Sequence, residues 1–178
     1  MNPKLIIGIG NPDSEYAETH HNAGKLFVSW LAEQTAGKRE GWKKEKLFDY
    51  LKTAKQPVLA KSKTFMNESG PAVKAAMKKF GLKADEVAVA QDESDIEFGK
   101  FKISFDRSSA GHKGIDSIIS SLRTQKFYRI RIGIRGKKGK ALDFVLSKIS
   151  KADMIKLYEV FAEIAKRLEN QAKSRIRA

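Results

Sequence analysis

Leu5-Ile6-Ile7-Gly8-Ile9 is an almost unbroken apolar run, the pattern of a short strand buried on both faces. Ala23, Leu26, Phe27, Trp30 and Leu31 then recur at helical spacing, so a helix starts near Asn22. Leu47 to Ala54 and Pro57 to Lys61 suit a pair of strands. Pro71 opens a helix whose apolar stripe is Ala72, Val73, Ala76, Met77 and Phe80. Val87 to Ala90 is a second buried strand, and Lys100 to Phe105 alternates, leaving one face wet. Ile115, Ile118, Ile119 and Leu122 share one helical face. From Tyr128 to Ile134 alternation is strict, with Arg129, Arg131 and Gly133 on one side and Ile130, Ile132 and Ile134 on the other. Met154, Ile155, Tyr158, Phe161, Ile164, Ala165 and Leu168 mark a long basic C-terminal helix and tail from about residue 151. Strands interleaved with helices, without repeats or linkers, predict a single three-layer α/β/α domain over residues 1–178. Its sheet is expected to be mixed, mostly parallel and twisted.

Composition narrows the class. The chain has 178 residues, 41% of them hydrophobic, which is too apolar for intrinsic disorder. It has no cysteine, so disulfides, thiolate zinc sites and cysteine nucleophiles are excluded. Its apolar runs are too short for a transmembrane helix, and Met1 to Ile7 lacks the form of a secretory signal. A cytoplasmic protein that does not engage a membrane is the expectation. The formal charge of +14 is clustered: Arg123 to Lys140 holds eight bases and no acid, whereas Asp85 to Glu97 holds six acids and no base. Clustered bases attract phosphates, so a nucleic-acid surface competes with a merely solvated basic face.

Gly8-Ile9-Gly10-Asn11-Pro12-Asp13 follows a strand but is no dinucleotide loop. Asp13 stands at the third glycine position, Pro12 lacks an amide proton, and no helix begins at the glycines. Asn11 is left at a strand's C-terminal end, where open α/β sheets hold ligands; a plain turn is the alternative. The three histidines are His20, His21 and His112. Adjacent His20 and His21 are poorly placed to share one ion, so no metal is expected. Asn22-Ala23-Gly24 leaves space around His21. Asp92, expected just beyond the strand ending at Ala90, could fix the tautomer of an imidazole, or could belong with Glu93 and Asp95 to a solvated acidic loop. No serine elbow is present, so any catalysis would use water activated by a histidine.

Gly8-Ile9-Gly10-Asn11-Pro12, Tyr16, His21-Asn22-Ala23-Gly24, Thr64-Phe65-Met66-Asn67-Glu68-Ser69-Gly70, Asp92 to Gly99, Gly111-His112-Lys113-Gly114, Phe127 to Ile134 and Phe144-Val145-Leu146 stand in this order along the chain. Together they resemble the bacterial peptidyl-tRNA hydrolases. The resemblance implies cofactor-free hydrolysis of the ester between a peptide and the terminal ribose of tRNA. It makes His21 the base that activates water and Asp92 the carboxylate that holds its tautomer. Asn11 would recognise the N-blocked peptidyl group, and Asn67 would bind the substrate backbone or the developing oxyanion. Tyr16, Phe65 and Met66 would line the cleft for the peptidyl end and terminal adenosine. Arg129 and Arg131, with Lys102 and the Lys137-Gly139-Lys140 loop, would hold phosphates of the acceptor stem and CCA end. A monomer is expected.

The chain departs from the family pattern at several of these places. Asp13 replaces a glycine, His20 an arginine, Gln91 a frequent histidine, and Ser104 a lysine, with Lys102 two residues away on the same strand face. Lys113 replaces a substrate-binding asparagine; it cannot accept a hydrogen bond, but its charge suits a phosphate or oxyanion. Asp106 to Ala110 is poor in glycine. These changes leave an alternative open, a catalytically impaired RNA-binding protein on the same fold; an unrelated nucleotide-binding α/β protein is a third.

Overall fold

In the computed structural model, residues 2–35, 41–52, 57–136 and 145–176 are described, the last five of them for backbone only. The strands are β1 (Leu5–Gly8), β2 (Lys43–Lys44), β3 (Phe48–Leu51), β4 (Val58–Ser62), β5 (Val87–Glu97), β6 (Phe101–Phe105) and β7 (Tyr128–Arg135). The helices are α1 (Ala23–Thr35), α2 (Ser69–Phe80), α3 (Lys113–Leu122) and α4 (Lys151–Ile176). The sheet order is β2-β3-β4-β1-β5-β7-β6. Its centre, β4-β1-β5-β7, is parallel, while β2, β3 and β6 pair antiparallel at the flanks. The mixed sheet expected from the pattern is present, but parallel pairings do not predominate: three are parallel and three antiparallel. Two of the antiparallel pairings arise because β2, β3 and β4 follow one another through connections too short for a parallel crossover.

Each buried strand divides its side chains between two cores, as a period of two requires. Ile6, Ala88, Ala90, Ile130, Ile132 and Ile134 meet Phe27, Val28 and Leu31 of α1 and Leu157, Phe161 and Ile164 of α4. Leu5, Ile7, Val87 and Val89 meet Val73 and Ala76 of α2 and Ile115 and Ile118 of α3 on the other face. Two helical layers therefore cover the sheet, and the three-layer architecture is observed.

One glycine positions the site. A Cβ on Gly24 would collide with the carbonyl of Ala90, so only glycine lets the first turn of α1 rest on β5. That contact brings the residues just before α1 over the C-terminal end of the parallel strands. Gly24→Ala is expected to lower stability by about 1–3 kcal/mol through overpacking. Urea unfolding checks this, as a lower midpoint at unchanged slope.

The structure corrects one boundary. β5 does not stop at Ala90 but continues to Glu97, so Asp92 lies within a strand, and Asp92 and Glu93 are buried. Past Ala90 the pairing with β1 ends, while that with β7 continues through Glu93. The two buried acids that interrupt the apolar pattern, Asp92 and Glu93, find partners there.

Candidate active site

His21 lies in the short turn His20–Asn22 that leads into α1, and Asp92 protrudes where β5 outruns β1. Their side chains meet: the His21 Nδ1 group lies 2.8 Å from Asp92 Oδ2. His112, capping the start of α3, places Nε2 3.1 Å from Asp92 Oδ1. The two imidazoles are 5.8 Å apart between centroids. Burial opposes ionisation of Asp92, but hydrogen bonds from His112 and His21 outweigh it and hold the carboxyl down at about 2. An ionised carboxylate only accepts hydrogen bonds, so both facing ring nitrogens carry protons.

The donor balance then separates the two histidines. His112 Nδ1 accepts from the Ile115 amide at 3.3 Å, while its Nε2–H donates to Asp92. Both nitrogens of His112 are committed. His21 uses only Nδ1–H on Asp92, which leaves Nε2 of the neutral, half-buried ring as an acceptor. His21 is thus the histidine equipped to take a proton from water.

Asn11 is held from four directions. Its amide donates to Asn22 Oδ1 at 2.8 Å, and its carbonyl accepts from Asn22 Nδ2 at 3.1 Å and Lys25 Nζ at 2.8 Å. Burial and nearby Lys61 lower the Lys25 pKa to about 8. The Asn11 side-chain oxygen accepts from the Met66 amide at 2.9 Å, so the amide nitrogen is oriented as a donor. Asn67 is exposed in the adjoining turn Met66–Glu68, next to that contact. Tyr16 is half-buried in the turn Ser14–Tyr16, and neighbouring Glu15 raises the pKa of its hydroxyl. Phe65 is exposed. Met66 corrects an expectation: its side chain is buried in the core beneath Gly114, and what it offers the site is its backbone amide.

The basic residues divide in two. Arg131 donates through Nε to Glu93 Oε2 at 2.7 Å and stays partly exposed, and Lys102 is its cross-strand partner on β6. Lys113 is exposed at the first residue of α3. Arg129, expected at a phosphate, is instead 1% exposed. Its Nε donates to Gln91 Oε1 at 2.9 Å, Nη1 to Ser108 O at 2.6 Å and Nη2 to Glu93 Oε2 at 3.3 Å. Burial and neighbouring Arg131 lower its pKa to about 10, so it remains charged at neutral pH. Its donors face inward because β5 supplies two acceptors below the plane where solvent begins. The loop Lys137-Gly139-Lys140 lies outside the described residues.

Among the described residues, His21, Asp92 and His112 also form a trio whose ligand atoms lie within 4.8 Å of one another. Their facing atoms are at hydrogen-bond distances of 2.8 and 3.1 Å, so a cation would have to displace both bonds. No described helix is long and apolar enough to cross a membrane.

The peptidyl-tRNA hydrolase family profile matches residues 5–178. The chain belongs to the peptidyl-tRNA hydrolase family. A peptidyl-tRNA hydrolase of Thermotoga sp. strain RQ2 is 38% identical over 170 residues, spanning 93% of this chain and 88% of the relative. One from Persephonella marina is 36% identical over 174 residues, spanning 96% and 91%. The crystal structure of the Acinetobacter baumannii peptidyl-tRNA hydrolase superposes with a TM-score of 0.86 at 26% identity, covering 98% of this chain and 91% of that one. The chain is accordingly an enzyme of the hydrolase class. Nothing in the fold or the comparisons supports the alternative of a catalytically impaired RNA-binding protein.

Sequence reasoning left three participants without a role. His112 was visible only as part of a motif, because its cap on α3 and its contact with Asp92 arise only in the fold. Asn22 was read as a small neighbour of His21, yet it holds Asn11. Glu93 was assigned to a possible acidic loop, yet it anchors two arginines.

Proposed function

We propose that this chain hydrolyses the ester joining a peptide to tRNA, using water activated by His21. The observation that carries the reading is the Asp92 carboxylate shared by two imidazoles, only one of which keeps a free acceptor nitrogen. Water attacks the ester carbonyl carbon while its proton passes to His21 Nε2. Asp92 stabilises the imidazolium that results. The tetrahedral intermediate then collapses, the bond to the ribose oxygen breaks, and His21 returns the proton to that oxygen. The products are a free peptide acid and a tRNA with its terminal hydroxyl restored.

Donors from Asn11 and Asn67 would serve the peptidyl carbonyls and the developing oxyanion, where one good donor contributes about 3–4 kcal/mol. Tyr16 and Phe65 would flank the peptidyl end and terminal adenosine. Arg131, Lys102 and Lys113 would hold phosphates of the acceptor stem and CCA end, contacts suited to many tRNAs because they read backbone and A-form shape rather than bases. The reaction is expected to proceed in the cytoplasm, on a monomer.

Purified protein is expected to cleave N-acetyl-aminoacyl-tRNA and spare the unblocked aminoacyl-tRNA. Equal cleavage of both would remove Asn11 from its assigned role, and cleavage of neither would overturn the reading. Arg131→Ala is expected to raise KM for every tRNA alike and to reduce the slope of log KM against log salt by about one unit. A loss confined to one tRNA would contradict a phosphate contact.

A further inference from the structure

The loop joining β6 to α3 ends in His112, and its backbone runs through unusual territory. Asp106 and Ala110, both at φ 51°, and Gly111 at φ 84° lie in the left-handed region. Glycine enters that region freely, whereas residues with a Cβ resist it and stay only where their surroundings hold them. From below, Arg129 Nη1 donates to the carbonyl of Ser108, midway between the two strained residues, at 2.6 Å. Gln91 at 2.9 Å and Glu93 at 3.3 Å prevent the guanidinium from turning away. A charged donor on a carbonyl makes a strong hydrogen bond. Beyond that anchor the loop closes with the His112 amide on Ser109 O at 3.2 Å, and the His112 ring reaches Asp92.

We propose that Arg129 is a positioning residue: through Ser108 it sets the path of the 106–112 loop, and so seats His112 against Asp92 and Lys113 at the cleft. The proposal rests on the hydrolytic reading of that cleft. It explains why two arginines on one strand face have different surroundings here. Glu93 Oε2 is shared by Arg129 and Arg131, so the loop anchor adjoins the phosphate-binding residue without meeting phosphate itself. Gln91 belongs to the same device, because its Oε1 fixes the rotation of the guanidinium about Nε.

The test uses the full chain carrying Arg129→Met or Arg129→Lys, assayed on N-acetyl-aminoacyl-tRNA across a salt series and by NMR of the imidazole rings. Arg129→Met is expected to lower kcat by about ten- to a hundredfold, the usual scale for a misplaced active-site group, with the salt slope of KM unchanged. The His112 ring resonances are expected to move. Lysine keeps the charge but reaches fewer acceptors, so Arg129→Lys is expected to regain part of kcat. Should the methionine variant fail to fold, Ala110→Gly added to Arg129→Lys carries the test. The glycine relieves the loop and is expected to raise kcat several-fold in that background, with less than about twofold effect on the wild type.

An unchanged kcat with a flattened salt slope would make Arg129 a phosphate contact and overturn the proposal. So would His112 resonances that match the wild type in a folded variant. A wild type without hydrolytic activity would defeat the reading of the cleft instead, and the His112 resonances of Arg129→Lys would still decide what Arg129 holds.

Discussion

His21→Ala is expected to reduce kcat on N-acetyl-aminoacyl-tRNA by about two to four orders of magnitude, the range a positioned general base contributes. KM is expected to change little, because the imidazole acts on water rather than on the body of the tRNA. His20→Ala, one residue away, is expected to keep activity within about threefold. The His20 ring nitrogen lies 3.0 Å from the carbonyl of Ser147, and its ring meets Phe98 rather than Asp92. His112→Ala is expected to fall between the two, since it removes a bond to Asp92 without removing the base. If His20→Ala or His112→Ala were the more damaging change, the assignment of the base would be wrong.

Asp92→Asn is the second large effect. An asparagine side chain presents one acceptor and one donor where the carboxylate presents two acceptors, and two imidazole N–H groups face it. One ring must change tautomer. If His21 does so, Nε2 gains the proton and ceases to be a base. The expected loss in kcat is about a hundredfold to ten-thousandfold at nearly constant KM.

The same substitution has a signature in acid. The folded carboxyl titrates at about 2, below its unfolded value of about 4. Its contribution to stability is therefore complete above about pH 4 and disappears as pH falls through 2, with a size on the order of 2 kcal/mol. Urea midpoints of the wild type and the variant are expected to differ most above pH 5 and to converge towards pH 2. A gap that stayed constant across that range would show that Asp92 is not held ionised by its histidines.

Much of this was legible in the sequence, and the reasons are specific. Ile6 and Leu5 could be assigned to a two-sided strand because nothing polar interrupts their run, and the stripe of Phe27 and Leu31 could be assigned to a helix by spacing alone. The second half of β5 could not be read this way. Asp92, Glu93 and Asp95 mimic a solvated loop, because the groups that balance two of them (His21, His112, Arg129 and Arg131) come from distant parts of the chain. Alternation on β7 placed Arg129 and Arg131 on one face correctly, but depth differs along that face. Arg129 lies opposite Val89, far enough inside the sheet to be covered by the Ser108 loop, whereas Arg131 lies opposite Gln91, nearer the edge. Met66 was misread for a similar reason: the motif named the right segment, and burial decided that its amide, not its thioether, faces Asn11.

The most direct measurement is the nitrogen-15 NMR signature of the three imidazoles in the free protein, at a pH where the rings are neutral. His21 is expected to show a protonated Nδ1 and a bare Nε2, and His112 the opposite, a protonated Nε2 and a bare Nδ1. A His21 ring protonated at Nε2 would leave the cleft without its base and contradict the account.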